Sequence, residues 1–432
     1  MFPLRFTKRV PIFVPLLVTA LLVAVPALAH LTLVREGRDS AGAAETEDRL
    51  GTAVAAGDFN EDGHDDLASG APQDDHAGAA DGQHHGTVVI SWGSPFGLTH
   101  EGAVDLQFLD DFGDNVARFG HALAAGNFDG DPYSDLVVGV PYRDYVGAQD
   151  AGAIYVYMGS ASGLTGGYTV YTQVDFGGTR EGDDLFGFSL AVGDFDGNST
   201  DDIAVGAPGE DNGAGAAFYM YSTPGIGLDA LGAGAGFFKQ GDLAQTPKAG
   251  ENFGYALTAG SVFGGFDDLV VGAPYDQPGS GLTTPTGRVT LIPSQGGSGL
   301  GALGAIDFNS IELGVPFSHN DSWFGWSLAT GRFAHAGGSG VDIAIGEPAH
   351  NAGGTFRAGR VVVYQFGAPV YAIDLSSVPG TFVLRGSEDF FGWSVASGDI
   401  DNDGLEELAV GTPNKNALNN TVNWGGMLSV FD

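Results

Sequence analysis

Residues 186–208 read FGFSLAVGDFDGNSTDDIAVGAP: an aromatic–glycine pair, a short apolar run, a nine-residue acidic loop from Asp194 to Asp202, and a second apolar run closed by Gly-Ala-Pro. The stretch does not stand alone. Related stretches start at Leu50 (LGTAVAAGDFNEDGHDDLASGAP), Phe119 (FGHALAAGNFDGDPYSDLVVGVP), Phe253 (FGYALTAGSVFGGFDDLVVGAP), Phe324 (FGWSLATGRFAHAGGSGVDIAIGEP) and Phe391 (FGWSVASGDIDNDGLEELAVGTP). Successive starts lie 69, 67, 67, 71 and 67 residues apart, so six units account for the chain beyond its leader.

Each unit reads as four short strands. In the third unit these include Phe186 to Ala191, Ile203 to Gly206, which Pro208 stops because it cannot donate to a ladder, and Ala216 to Tyr221. The third-type strand recurs at Thr87–Trp92, Ala153–Tyr157 and Arg360–Tyr364, and a fourth is expected at Thr381–Leu384 (TFVL). The chain ends after a third-type strand, Met427–Phe431, while LTLVREG from Leu31 resembles TFVLRGSE. A first strand that completes the last blade would join the termini and remove an open edge. Radial repetition of four-stranded units is a β-propeller. The expectation is therefore an all-β protein with six four-stranded blades and an N-terminal strand closing the last. An open solenoid leaves the split unit unexplained.

Positions 1, 3, 5 and 9 of the loop carry oxygen ligands in four units: Asp58, Asn60, Asp62 and Asp66; Asn127, Asp129, Asp131 and Asp135; Asp194, Asp196, Asn198 and Asp202; Asp399, Asp401, Asp403 and Glu407. Position 7 varies (His64, Tyr133, Thr200, Leu405), as it does where only the backbone carbonyl is used. Hard oxygen donors at alternating positions suit Ca²⁺ and offer nothing to zinc or copper. An EF-hand needs a Glu at position 12, where this chain has Ser69, Val138, Val205 and Val410. A metal-free Asx-rich turn is the competing reading of any one copy. The fourth loop is a residue short and keeps Ser261, Asp267 and Asp268, while the fifth starts at Arg332 and keeps only Asp342. About four calcium sites are expected, in blades one, two, three and six.

Taken together, the Phe-Gly pair, the D-x-D-x-D-G-x-x-D loop and Gly-Ala-Pro resemble the FG-GAP repeat of integrin α-subunit propellers and related bacterial secreted proteins. The resemblance covers residues 30–432 and implies a single propeller domain with calcium in its loops, often used for adhesion or partner binding. Integrin propellers have seven blades against the six units counted here. No stretch resembles the integrin stalk, membrane helix or cytoplasmic tail, so signalling is not implied.

Residues 1–29 carry a basic start (Arg5, Lys8, Arg9), an apolar run from Pro11 to Val25 and Ala27-Leu28-Ala29, the pattern of a secretory signal peptide. The remaining chain is expected to be secreted, extracellular or periplasmic, without a membrane span. Losing that leader would move the net charge from −36 to −39, which disfavours nucleic acid and anionic lipid as partners. The absence of cysteine excludes disulfides, leaving core packing and metal to stabilise an exported fold.

A ring follows most Phe-Gly pairs: His121, Phe188, Tyr255, Trp326 and Trp393, with Thr52 in the first unit. These could stack sugars, but inter-blade packing is the favoured reading, and Trp323 and Trp424 are the better candidates for an exposed surface. The loop from Gln73 to Gly86, with His76, His84 and His85, reads as solvated rather than as a second metal site. GLGALG at Gly299–Gly304 lacks the following helix of a dinucleotide fingerprint. No catalytic motif emerges. The reading is a non-enzymatic adhesion or ligand-binding module whose partner is an extracellular protein or glycan. The alternatives are an extracellular hydrolase or lyase acting on polysaccharide or ester, and a surface-layer component.

Overall fold

The computed structural model describes residues 49–431 except 76–83, 109–115, 165–166, 230, 232–233, 244, 278–284, 316–320, 334–339, 352–354, 367–369, 375–386, 402 and 415–425. It is an all-β, six-bladed propeller of antiparallel sheets formed in chain order. Blade one comprises Val54–Gly57, Asp66–Ala71, Thr87–Trp92 and Thr99–Gln107; blade two Ala122–Gly126, Asp135–Val140, Ala153–Tyr157 and Tyr168–Tyr171. Blade three comprises Ser189–Gly193, Asp202–Ala207, Ala216–Met220 and Ala235–Phe238; blade four Ala256–Gly260, Asp268–Ala273, Arg288–Ile292 and Ile306–Phe308. Blade five has Leu328–Gly331, Asp342–Glu347, Arg360–Tyr364 and Tyr371–Ile373. Blade six shows three strands among the described residues: Ser394–Gly398, Glu407–Thr412 and Met427–Phe431. First strands of successive blades touch one another, which places them innermost.

One expected strand differs. The first strand of blade three begins at Ser189, not Phe186, because Phe186 bridges in parallel to Gly152 of blade two and Gly187 adopts φ 92°. The fourth strand described in blade five is Tyr371–Ile373. Residues 381–384, the N-terminal strand, the leader and Trp424 lie outside the described residues.

The repeat motif is an inter-blade device. Phe119, Phe186, Phe253, Phe324 and Phe391 are fully buried and belong to cores that each join two neighbouring blades. Burying one such ring contributes about 2–3 kcal/mol. Behind each Phe, the Gly lies against the Gly of the preceding Gly-Ala-Pro-type motif. A Cβ built at Gly70, Gly139, Gly206, Gly272 or Gly346 would overlap the carbonyl oxygen of Gly120, Gly187, Gly254, Gly325 or Gly392. Only glycine permits so close a backbone approach.

Candidate metal-binding loops and an axial arc of aromatic rings

Each acidic loop joins the first strand of its blade to the second, and its backbone alternates in hand. Position 4 is left-handed at Glu61, Gly130 and Gly197, and position 6 at Gly63, Ser199 and Gly404. These turns aim successive amides at the side chains of positions 1, 3 and 5. In loop one, Asp62 N–H donates to Asp58 Oδ1 (3.1 Å) and Asn60 Oδ1 (2.9 Å), and His64 N–H to Asp62 Oδ1 (3.0 Å). In loop three, Asn198 N–H donates to Asp194 Oδ1 (3.0 Å) and Asp196 Oδ1 (3.1 Å), and Thr200 N–H to Asn198 Oδ1 (2.8 Å). Loop six repeats the set with Asp403 N–H to Asp399 and Asp401, and Leu405 N–H to Asp403. In loop two, Gly130 N–H donates to Asn127 Oδ1, Asp131 N–H to Asp129 Oδ1 and Tyr133 N–H to Asp131 Oδ1.

The network draws like charges together. One oxygen each from Asp194, Asp196 and Asp202, and one each from Asp399, Asp401 and Asp403, lie within 4.8 Å of one another. Among the described residues, no other His, Asp or Glu trio is so close. Loops one, two and three each carry one Asn and three Asp at these positions, and of the three only loop three brings its acids so close among the described residues.

Position 9 has a role that sequence reasoning missed. Asp202 accepts Phe195 N–H (2.9 Å) on one oxygen and Ser222 N–H (2.8 Å), from the third strand's end, on the other. Asp66 does the same with Phe59 and Gly93, and Asp135 with Phe128 and Gly159. Asp268 does so with Phe263 and Ser294 in blade four, whose loop has no acid at positions 1, 3 and 5. Position 9 is thus a clamp that ties the loop to the next hairpin whether or not a cation-binding set is present. The signal was in the sequence: Asp268 and Asp342 persist where the rest of the pattern is gone. Burial pushes Asp135 and Asp202 up to about 7 despite their two N–H donors, and the neighbouring loop acids add to the rise. Asp66 and Asp268 move the same way by burial.

At the axis, the rings after Phe-Gly form one continuous arc. Centroid separations run 4.8 Å for His121–Phe188, 5.0 Å for Phe188–Tyr255, 4.8 Å for Tyr255–Trp326 and 4.7 Å for Trp326–Trp393. They are inter-blade contacts, as expected, yet the first four remain half-buried and Trp393 is exposed. Trp323, expected to stand apart, instead stacks on Trp326 (5.1 Å, 24°) and parallel to Phe390, with the Arg357 guanidinium over its face. Burial lowers His121 to about 4, so this ring is neutral at ordinary pH.

Buried acids outside the loops are paired in a repeated way. Gln173 donates to Glu210 (2.7 Å) and Gln240 to Asp276 (3.0 Å) at corresponding positions, while Arg360 and Ser310 hold Glu347. Recurrence in successive blades marks these as structural contacts. His84 Nδ1 lies 3.0 Å from the Gln73 carbonyl oxygen and 3.7 Å from Asp75, while His76 lies outside the described residues. Leu300, within GLGALG, bridges to Ser294 in a hairpin with no helix after it.

The FG-GAP repeat profile matches residues 50–88, 119–157, 186–220 and 391–431. The chain carries FG-GAP repeats. The four matched repeats are blades one, two, three and six, the same four whose loops keep oxygen donors at positions 1, 3, 5 and 9. Similar proteins include human phosphatidylinositol-glycan-specific phospholipase D, 29% identical over 407 residues, covering 84% of this chain and 43% of that protein. Integrin alpha pat-2 of Caenorhabditis briggsae is 36% identical over 171 residues, covering 36% of this chain and 13% of that one. Mouse integrin alpha-7 is 29% identical over 214 residues, covering 49% of this chain and 16% of that one. The chain therefore spans less than half the length of each. Among solved structures, the Dos1 propeller is matched at TM-score 0.41 and 14% identity, covering 84% of this chain and 67% of that one. No helix among the described residues is long and apolar enough to cross a membrane.

Proposed function

We propose that this chain is a secreted, calcium-binding propeller that works as an adhesion or ligand-binding module, with calcium structural in loops one, two, three and six. The observation that carries the reading is the convergence of Asp194, Asp196 and Asp202, and of Asp399, Asp401 and Asp403, within 4.8 Å. Three carboxylates held so close by backbone amides repel one another, and a divalent cation relieves that repulsion. The donor set is entirely oxygen, which fits Ca²⁺. Positions 1, 3 and 5, the position-7 carbonyl and the position-9 carboxylate supply the ligands. Position 9 retains lone pairs for a cation beyond its two amide bonds. When bound, the ion neutralises the loop and fixes the strand-to-strand connection; the chain's own amides orient the acids for it.

The ligand-binding part rests on the axial arc. Half-buried Tyr255 and Trp326 beside exposed Trp393 and stacked Trp323 offer flat apolar faces at one mouth of the propeller. Such faces suit a glycan or a protein side chain, and the acidic charge disfavours nucleic acid. A binding role is preferred to hydrolysis because the buried acids outside the loops recur as satisfied structural pairs. Calcium titration calorimetry tests the reading. About four ions per chain are expected, with one fewer in Asp194→Ala; an unchanged count in that variant refutes the assignment.

A further inference from the structure

Neighbouring acidic loops touch, and they do not touch equally. Position 8 of a loop meets the first residue of the loop before it. Between loops one and two the contact is a single main-chain bond, Ser134 N–H to the Asp58 carbonyl (2.9 Å). Between loops two and three it is doubled. Asp201 N–H donates to the Asn127 carbonyl (2.9 Å), and the Asp201 carboxylate accepts Asn127 N–H (2.8 Å). Position 7 adds to this junction, because the Thr200 methyl lies 3.1 Å from where a Cβ on Gly130, position 4 of loop two, would stand. Blade four grips loop three in the same doubled way, with Asp267 taking Asp194 N–H (3.2 Å) and donating to its carbonyl (3.2 Å), but loop four has no acid at positions 1, 3 and 5.

The groups that join loops two and three sit beside calcium ligands on both sides. Asn127 is position 1 of loop two; its side chain accepts Gly130 N–H (2.7 Å) while Asp201 holds its own N–H and C=O. Asp201 is half-buried and lies between Thr200, whose carbonyl is the position-7 donor of loop three, and Asp202, the position-9 carboxylate. Order in one loop therefore reaches the first ligand of the other through two hydrogen bonds.

We infer that loops two and three take calcium as a coupled pair, with Asp201 the positioning residue that links them; this rests on the calcium reading of the loops. Ordering either loop fixes the Asn127–Asp201 contact that the other also needs, so conformational entropy is lost once and the second site binds more tightly. Charge opposes this only weakly. Each loop has three carboxylates at its donor positions, so a filled loop stays net negative, and the remainder is screened over a Debye length of about 8 Å. Loops one and two, joined by one main-chain bond, are coupled less.

Calcium titration of the full chain at pH 8, followed by amide NMR, separates the loops. Gly63, Gly130 and Gly197 N–H each donate to the position-1 side chain of their own loop, so their resonances report loops one, two and three. Disabling loop three with Asp196→Ala is expected to weaken loop two about fivefold and to change loop one by less than about twofold. By linkage, Asp131→Ala should weaken loop three by the same factor. In Asp201→Ser, which copies Ser134, the effect of Asp196→Ala on loop two should fall below about twofold, whereas Asp201→Asn, which keeps an acceptor oxygen, should retain it. Circular dichroism of each variant confirms folding before comparison. A loop-two midpoint indifferent to Asp196→Ala, coupling that survives Asp201→Ser, or coupling lost in Asp201→Asn overturns the inference and leaves calcium binding standing. Loop resonances that ignore calcium altogether overturn both.

Discussion

Calcium should enter the second and third loops by displacing protons. Asp135 and Asp202 are buried beside other carboxylates, and without metal both titrate at about 7 instead of 3.8. A carboxyl whose folded pKa is raised holds its proton between pH 4 and 7, where the unfolded chain has lost it. Metal-free stability is therefore greatest below pH 4 and falls as pH rises to 7, by on the order of 4 kcal/mol per carboxyl. A cation that takes the ionised form reverses this, so calcium should raise the melting temperature more at pH 8 than at pH 6. The proton count follows. A group of pKa about 7 is about nine-tenths protonated at pH 6 and about one-tenth at pH 8, so filling both loops at pH 6 releases close to two protons. The apparent affinity of each loop should drop about tenfold between pH 8 and pH 6. Calorimetric titrations at pH 6 in buffers of different ionisation enthalpy read the released protons directly. Calcium binding with a heat independent of buffer would refute the reasoning.

Other predictions concern single contacts. Asp268→Ala leaves the Phe263 and Ser294 amides without their carboxylate and should cost about 2–5 kcal/mol in urea unfolding, equally with calcium or chelator, because loop four is a clamp without a cation set. Asp202→Ala should cost a similar amount in chelator and more in calcium. Gly206→Ala drives a methyl into the Gly254 carbonyl and should destabilise by at least about 2 kcal/mol, seen as a lower denaturation midpoint. Trp326→Ala should weaken any axial ligand found in a glycan or protein screen by about tenfold while leaving calcium stoichiometry unchanged.

The sequence carried the architecture because it was written six times. Periodic Phe-Gly and Gly-Ala-Pro identify the blades, and the third-type strands at Thr87–Trp92, Ala153–Tyr157 and Arg360–Tyr364 begin and end where the spacing places them. The fourth strand was less legible: that of blade five, Tyr371–Ile373, is short and largely exposed, and no spacing signal singled it out. Loop ligands could be enumerated by alignment of the copies, but the clamp at position 9 could not, because its partners Gly93, Gly159, Ser222 and Ser294 lie a hairpin away and contribute backbone amides with no residue signature. Trp323 shows the same limit. Its register set it apart from the other rings, yet the turn before Phe324 folds it back onto Trp326.

A crystal structure grown in calcium, with anomalous data collected at long wavelength, tests the central claim most directly. The account predicts peaks in the loops headed by Asp58, Asn127, Asp194 and Asp399, and none in those headed by Ser261 and Arg332. Empty loops at saturating calcium, or peaks in the fourth and fifth blades, would contradict it.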